Sequence, residues 1–348
     1  MSAAAVNIQE IGEDVLVGNP PSSPPDSAGG ARAELAADSS TFAPAMALLP
    51  SRARADVGAL YRVLRTLDDL VDEDDPRACA RVRAVEQWAG GAGGAQMEPT
   101  GQTPGGTPGE GRCAPDGAGT GQMEPTGQTP GGTPGEGRCA PDGAGGAPDT
   151  PETRTLADLA SRHPLPRGSL LEFCAGMRHD IAREDVDSEE DFMRYCQQAG
   201  GSVGVVLASI LGGECPEAQT GMAVLGRAMQ VTNILRDIDE DRAHGRLYIS
   251  RAAIERYGFP SPGARQALLR EHIARADALY EEGMRAIPLL REGRRAMALA
   301  SALYREILRE IERTGYGHAP GRVVVAPWRR RLIAMRVRQS TSRERGQG

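Results

Sequence analysis

The chain has 348 residues, 40% of them hydrophobic, and a formal net charge of −7. That length fits one large domain or two ordinary ones, and no apolar run approaches the ~18 residues that a membrane span needs. More than half of the negative excess sits in residues 96–145, where six acids face two arginines; the nearly balanced remainder has no footprint for nucleic acid.

Residues 1–36 include Asn19-Pro20-Pro21-Ser22-Ser23-Pro24-Pro25 and no long apolar period, the composition of a disordered leader. They lack the basic start and apolar core of a secretory signal, so a cytoplasmic location is expected. A helix is expected over 52–72, with few breakers before Pro76. In the next stretch, residues 96–119 recur without change as 122–145, a period of 26. Gly and Pro dominate each copy, so 90–151 reads as a flexible loop set within one domain. Helical patterns follow over 156–161, 169–183, 189–211, 220–242, 264–286 and 291–314. Ser188, ahead of Glu189, Glu190 and Asp191, has the form of an N-cap with an acidic first turn, and Gly315 that of a helix stop. No useful run alternates as a strand would. An all-α domain over 37–338, interrupted by the insert and followed by a disordered tail at 339–348, is the expectation. The six cysteines form no CxxC pair, which favours reduced thiols and gives no zinc spacing. The basic and apolar stretch 327–338 suits an interfacial membrane contact.

Two rows of acids carry the chemistry. Asp68 and Asp72 are four residues apart near the end of the first long helix, so they share a face. The second row is Asn233, Asp237 and Asp241, again spaced by four. Its helix is apolar around most of its circumference, through Met222, Val224, Leu225, Met229, Val231, Ile234, Leu235 and Ile238, the pattern of a buried helix. Buried carboxylates must be paired or bind metal. This oxygen-only donor set suits Mg²⁺ or Mn²⁺. On spacing alone a helix salt-bridged by Arg236 and Arg242 is also open. Two such rows in one helical domain point to metal-assisted departure of a diphosphate, with an apolar cavity shielding the cation left behind.

In this order the residues resemble the squalene/phytoene synthase family. Thr41 to Pro50 is similar to its SFxxAxxLLP, and Tyr61, Arg65 and Asp68-Asp69-Leu70-Val71-Asp72-Glu73 to YxxxRxxDDxxDE. Gly176-Met177-Arg178-His179-Asp180 resembles GMxxD, and Tyr195 to Gly204 resembles YCxxVAGxVG. Gln230 to Asp241 resembles QLTNILRDxxED, followed by Gly245-Arg246-Leu247-Tyr248 for GRxY. The chain departs at Thr41, Gly200 and Ser250, where Ser, Ala and Pro are usual. The resemblance implies a single isoprenoid-synthase-type helical domain with a central cavity. It implies head-to-head (1′-1) joining of two prenyl diphosphates through a cyclopropylcarbinyl diphosphate. Asp68, Asp72, Asn233, Asp237 and Asp241 would serve the metals. Tyr61, Arg65, Arg236 and Arg322 would contact diphosphate. Tyr195 would sit beside the reacting carbons, with Tyr304 as a further substrate contact. The phytoene-type reaction on geranylgeranyl diphosphate is favoured. The nearest alternative is presqualene diphosphate or squalene formation from farnesyl diphosphate, the latter needing NADPH. A cyclising terpene synthase and a non-catalytic assembly factor are further alternatives; the intact set of aspartates argues against the last.

Overall fold

Helical periodicity in the sequence becomes helix throughout the computed structural model, which describes residues 42–91 and 149–345, with side chains as far as Val337. No strand occurs among the described residues. In chain order the helices are α1 (Ala43–Met46), α2 (Ser51–Asp72), α3 (Ala78–Gly90), α4 (Pro151–Ala160), α5 (Arg167–Ala182), α6 (Glu189–Cys196), α7 (Ser202–Ile210), α8 (Pro216–Ala243), α9 (Arg251–Tyr257), α10 (Gln266–Gly283), α11 (Arg294–Arg313) and α12 (Pro327–Arg345). A π-helical turn, Gln197–Gly201, joins α6 to α7, and a 3₁₀ turn, Met284–Leu289, follows α10.

Helix α8 is the hub. It packs against α6, α7, α10, α11 and both irregular turns. Met222, Leu225, Ala228, Val231, Ile234, Leu235 and Ile238 are all buried on it. Fully burying one such aliphatic side chain contributes about 1.5–3 kcal/mol, so this helix is fixed by its surroundings rather than by its own propensity. The closest approach is backbone to backbone. A Cβ on Gly226 would lie 2.2 Å from the Gly200 carbonyl oxygen, and one on Gly200 would lie 2.5 Å from that of Gly226. Gly204 meets the Met222 carbonyl in the same way. These glycines let the π turn lie directly on α8. The single helix expected over 189–211 is therefore interrupted where it crosses α8, in keeping with the use of π turns inside helices.

Local signals hold where they were strongest. The Ser188 hydroxyl accepts from the Asp191 N–H at 3.1 Å, and the Asp191 carboxylate accepts from the Ser188 N–H at 3.0 Å, a capping box. Gly315 has φ +81°, and the Tyr316 N–H donates to the Ile311 carbonyl at 2.8 Å, closing α11. Ser250 caps α9, its oxygen accepting from the Ala253 N–H at 3.1 Å while its hydroxyl donates to Glu189.

Several elements differ from expectation. Helix α3 was passed over, although Ala78, Val82, Val85 and Ala89 are buried at helical spacing. Gly90 ends α3 and Pro151 starts α4, so the insert gives up its first and last residues to helices. Helix α12 runs to Arg345, into the stretch expected as a tail. The leader and the repeat lie outside the described residues. Cys174, Cys196 and Cys215 are free thiols.

Candidate active site

Asp68 and Asp72 lie in the last turns of α2, one turn apart, with side chains 43% and 49% exposed. Asn233, Asp237 and Asp241 lie at the same spacing on α8, where Asp237 is only 17% exposed. Both rows line one cleft of about 350 Å³, together with Arg65, Arg236, Arg322 and Tyr195. Arg65, Asp68, Tyr195, Gln230, Asn233, Arg236 and Arg322 also border a second pocket of about 330 Å³. Its remaining walls include Phe42, Leu64, Phe173, Met177, Ala199 and Val203, with Tyr61 and Tyr304. A polar mouth thus adjoins a recess whose walls are in part apolar. Every residue singled out from the sequence lines one part or the other.

Arginines face the carboxylates. Arg65 reaches Asp68 at 3.0 Å and Asp69 at 2.8 Å. Arg246 pairs with Asp72 and donates to the Val71 carbonyl at 2.8 Å. Asp237 accepts from Arg236 Nε at 2.8 Å and lies 3.2 Å from Arg322 Nε. Arg322 approaches Glu240 at 3.6 Å. Arg236 also neighbours the Tyr304 hydroxyl.

Burial and like charge push three carboxyls upward. Burial, then Asp237 and Asp72, raises Asp241 to about 8. Burial, then Asp72, raises Asp68 to about 6, with Arg65 pulling the other way. The exposed part of Asp68 faces the narrow cleft rather than bulk water, so desolvation acts on it despite its openness. Asp72 acting on Asp241 shows that the two helices feel each other across the gap.

Among the described residues no three Asp, Glu, His or Cys side chains gather tightly enough to cage an ion alone. Mg²⁺ does not need such a cage: it is commonly held by one or two carboxylates, water and substrate phosphate oxygens. The buried Asn233 Oδ1 has no hydrogen-bond partner. An orphaned neutral oxygen in the α8 row fits an ion ligand and costs free energy otherwise.

The sequence reading missed Asp180, Arg246 and Tyr248, all lining the mouth. Asp180 accepts from the Tyr195 hydroxyl at 3.1 Å and from the Tyr248 hydroxyl at 2.9 Å. Burial raises its carboxyl to about 7, against the lowering effect of Tyr248, Arg246 and Tyr195. GMxxD and GRxY had marked these residues, but a motif does not say that residues 68 apart share one carboxylate.

Comparison with known proteins agrees with this geometry. The sequence profile described as Squalene/phytoene synthase matches residues 35–329. A phytoene synthase of Thermus thermophilus is 34% identical over 197 residues, 54% of this chain and 68% of that protein. Phytoene synthase 3 of Zea mays, a chloroplastic protein, is 32% identical over 197 residues, 52% of this chain and 46% of that protein. Among solved structures, a dehydrosqualene synthase superposes with TM-score 0.67 at 24% identity, covering 90% of this chain and 96% of that one. A squalene synthase of Alicyclobacillus acidocaldarius gives 0.59 at 22% identity, covering 83% and 94%. These structures share the all-α fold. With its profile matched across both aspartate helices and the cleft between them, the chain belongs to the squalene/phytoene synthase family.

Proposed function

We propose that the protein is a Mg²⁺-dependent prenyltransferase that joins two prenyl diphosphates head to head, with geranylgeranyl diphosphate as the favoured substrate. The observation carrying this reading is the seam itself: two carboxylate rows and four arginines at a polar mouth, adjoining a recess walled in part by apolar side chains. A molecule with a diphosphate head and an isoprenoid tail matches both halves. The relatives named phytoene synthase support the C20 choice.

Asp68, Asp72, Asn233, Asp237 and Asp241 would hold the metal ions. Bound ions would neutralise the diphosphate and favour its departure. Arg65, Arg236 and Arg322 offer planar guanidinium forks to phosphate oxygens, and Tyr61 and Tyr304 line the recess that would take the chain. Leu64, Phe173, Met177 and Val203 keep water from the allylic cation. The double bond of the second substrate would attack that cation, and loss of a proton, with the released diphosphate as acceptor, would close the ring of the cyclopropylcarbinyl diphosphate. Loss of its diphosphate, rearrangement and loss of a second proton would then give the linear product. Tyr195, at the seam, steadies positive charge with its ring.

Feeding the purified protein C20 or C15 diphosphate with Mg²⁺ and identifying the product tests this reading. Release of diphosphate with a C40 product is expected; turnover of the C15 substrate alone would replace it with the presqualene or squalene reaction.

No helix among the described residues is long and apolar enough to cross a membrane. Helix α12 exposes Trp328 and Met335 amid arginines, which supports a peripheral contact with an anionic lipid surface. Truncation before Trp328 should reduce co-sedimentation with anionic vesicles; unchanged binding removes this role from α12.

A further inference from the structure

One carboxylate in the mouth belongs neither to the aspartate rows nor to the partners of the diphosphate-facing arginines. Asp180, in the last turn of α5, is 6% exposed. Its two oxygens are used separately: one accepts from Tyr195, in the last turn of α6, and the other from Tyr248, on the segment after α8. The two rings lie stacked, with centroids 4.7 Å apart and planes 17° from parallel. Tyr195 borders both the mouth and the recess. Three separate elements therefore converge on a single buried group.

Burying a carboxylate is costly unless it is hydrogen-bonded, and hydrogen bonds to an ionised acceptor are roughly twice as strong as neutral ones. Anchoring both hydroxyls to one carboxylate fixes the rings and their spacing together. The Tyr248 segment is pinned a second time, because Arg246, two residues earlier, grips Asp72 and the Val71 carbonyl at the end of α2. The tyrosine pair is thus held in register with the first aspartate row.

We propose that Asp180 is a positioning residue for the condensation, holding Tyr195 and Tyr248 as a stacked pair where the mouth meets the recess. The proposal rests on reading the cleft as a prenyl-diphosphate site. A phenol donating to a carboxylate has a more electron-rich ring, and a ring so placed is a better neighbour for carbon bearing positive charge. Among the described residues, the hydrogen bonds of Asp180 go to these tyrosines and not to Arg65, Arg236 or Arg322. Its loss should therefore slow turnover while leaving the grip on diphosphate intact.

The test is steady-state kinetics with geranylgeranyl diphosphate and Mg²⁺ for Asp180→Asn, Tyr195→Phe, Tyr248→Phe and their combinations. Calorimetric binding of Mg²⁺ and inorganic diphosphate, with thermal melting, is measured alongside. Asp180→Asn should lower kcat about 10- to 100-fold, with KM and diphosphate binding little changed. Adding Tyr248→Phe to Asp180→Asn should cost less than the product of the two single effects, because both remove the same contact. Multiplicative effects, an unchanged kcat, or a rise in KM matching the fall in kcat would each overturn the proposal. If Asp180→Asn does not fold, the Tyr195→Phe and Tyr248→Phe cycle decides: coupling supports a shared anchor and strict additivity overturns it. A wild-type protein that turns over no prenyl diphosphate defeats the functional reading and this proposal together. Wild-type turnover with an unimpaired Asp180→Asn defeats only the positioning role.

Discussion

The two acidic rows face each other but are held in different ways. Asp68 and Asp72 sit in the last turns of α2, close to half exposed, each with an arginine of its own. Asn233, Asp237 and Asp241 project from the helix at the hub of the domain, seated on the π turn through Gly200 and Gly226. The open row is therefore expected to be the more adjustable side and the packed row the more fixed. This pairing suits a site that must grip a diphosphate and later let it go. Charge follows the same division: the carboxyl of Asp241 is pushed up to about 8 and that of Asp68 to about 6.

The division can be broken at the fixed side first. Asp237→Ala removes a proposed metal ligand and frees Arg236 and Arg322 together, and kcat for diphosphate release should fall about 10³-fold or more. Asp68→Ala, on the adjustable side, should cost about 10²-fold. Equal losses in the same release assay would erase the distinction between the rows. Next comes pH. A carboxyl must lose its proton to bind Mg²⁺, so affinity should weaken about tenfold per pH unit below the Asp241 value of about 8, and more steeply below about 6, where Asp68 joins. Titration calorimetry between pH 5.5 and 9 (about three and a half decades of proton activity) would show it; a flat profile would argue against either carboxylate as a ligand. Without metal the sign reverses for stability. The folded state holds these protons more tightly than the unfolded chain, where a carboxyl lies near 3.8. Stability should therefore fall as pH rises from about 4 towards 8. The smallest effect concerns the seat of α8. Gly226→Ala should cost about 1–3 kcal/mol in a thermal melt through overpacking. Gly168→Ala, on α5 with open space around it, should be neutral or stabilising by up to about 1 kcal/mol.

The same contrast decides what could be read from sequence. The α8 row was legible because burial and spacing are both local patterns: apolar residues all round one helix leave its polar row nowhere to face but a cleft. The α2 pair was weaker, since an exposed DxxxD resembles any solvated surface, and only the ordered family motifs lifted it. Asp180 was visible as a motif residue and invisible as an anchor, because Tyr195 and Tyr248 reach it by tertiary packing. The interruption at Gln197–Gly201 escaped for a related reason. Gly200 and Gly201 could have sat in an ordinary helix, and it is Gly226, on another element, that the π turn accommodates. Helix α3 was readable from Ala78, Val82, Val85 and Ala89, but Pro76 before it and the glycine-rich insert after it obscured the period.

Helices α3 and α4 flank the stretch that carries the duplicated segment, and they pack on each other. Arg81 clasps the buried Glu152, and Arg167 donates to the Trp88 carbonyl. No residue of α3 or α4 lines the cleft. The two ends of the link are thus moored by packing, whatever its length. Loop-closure entropy rises by only about 0.6 kcal/mol for each doubling of a loop, so gaining or losing one copy of the 26-residue unit is nearly invisible to folding. A change in the number of copies is therefore expected to lengthen or shorten the protein at a junction whose two flanking helices do not line the cleft. For the same reason that junction is a natural place to graft a tag or reporter.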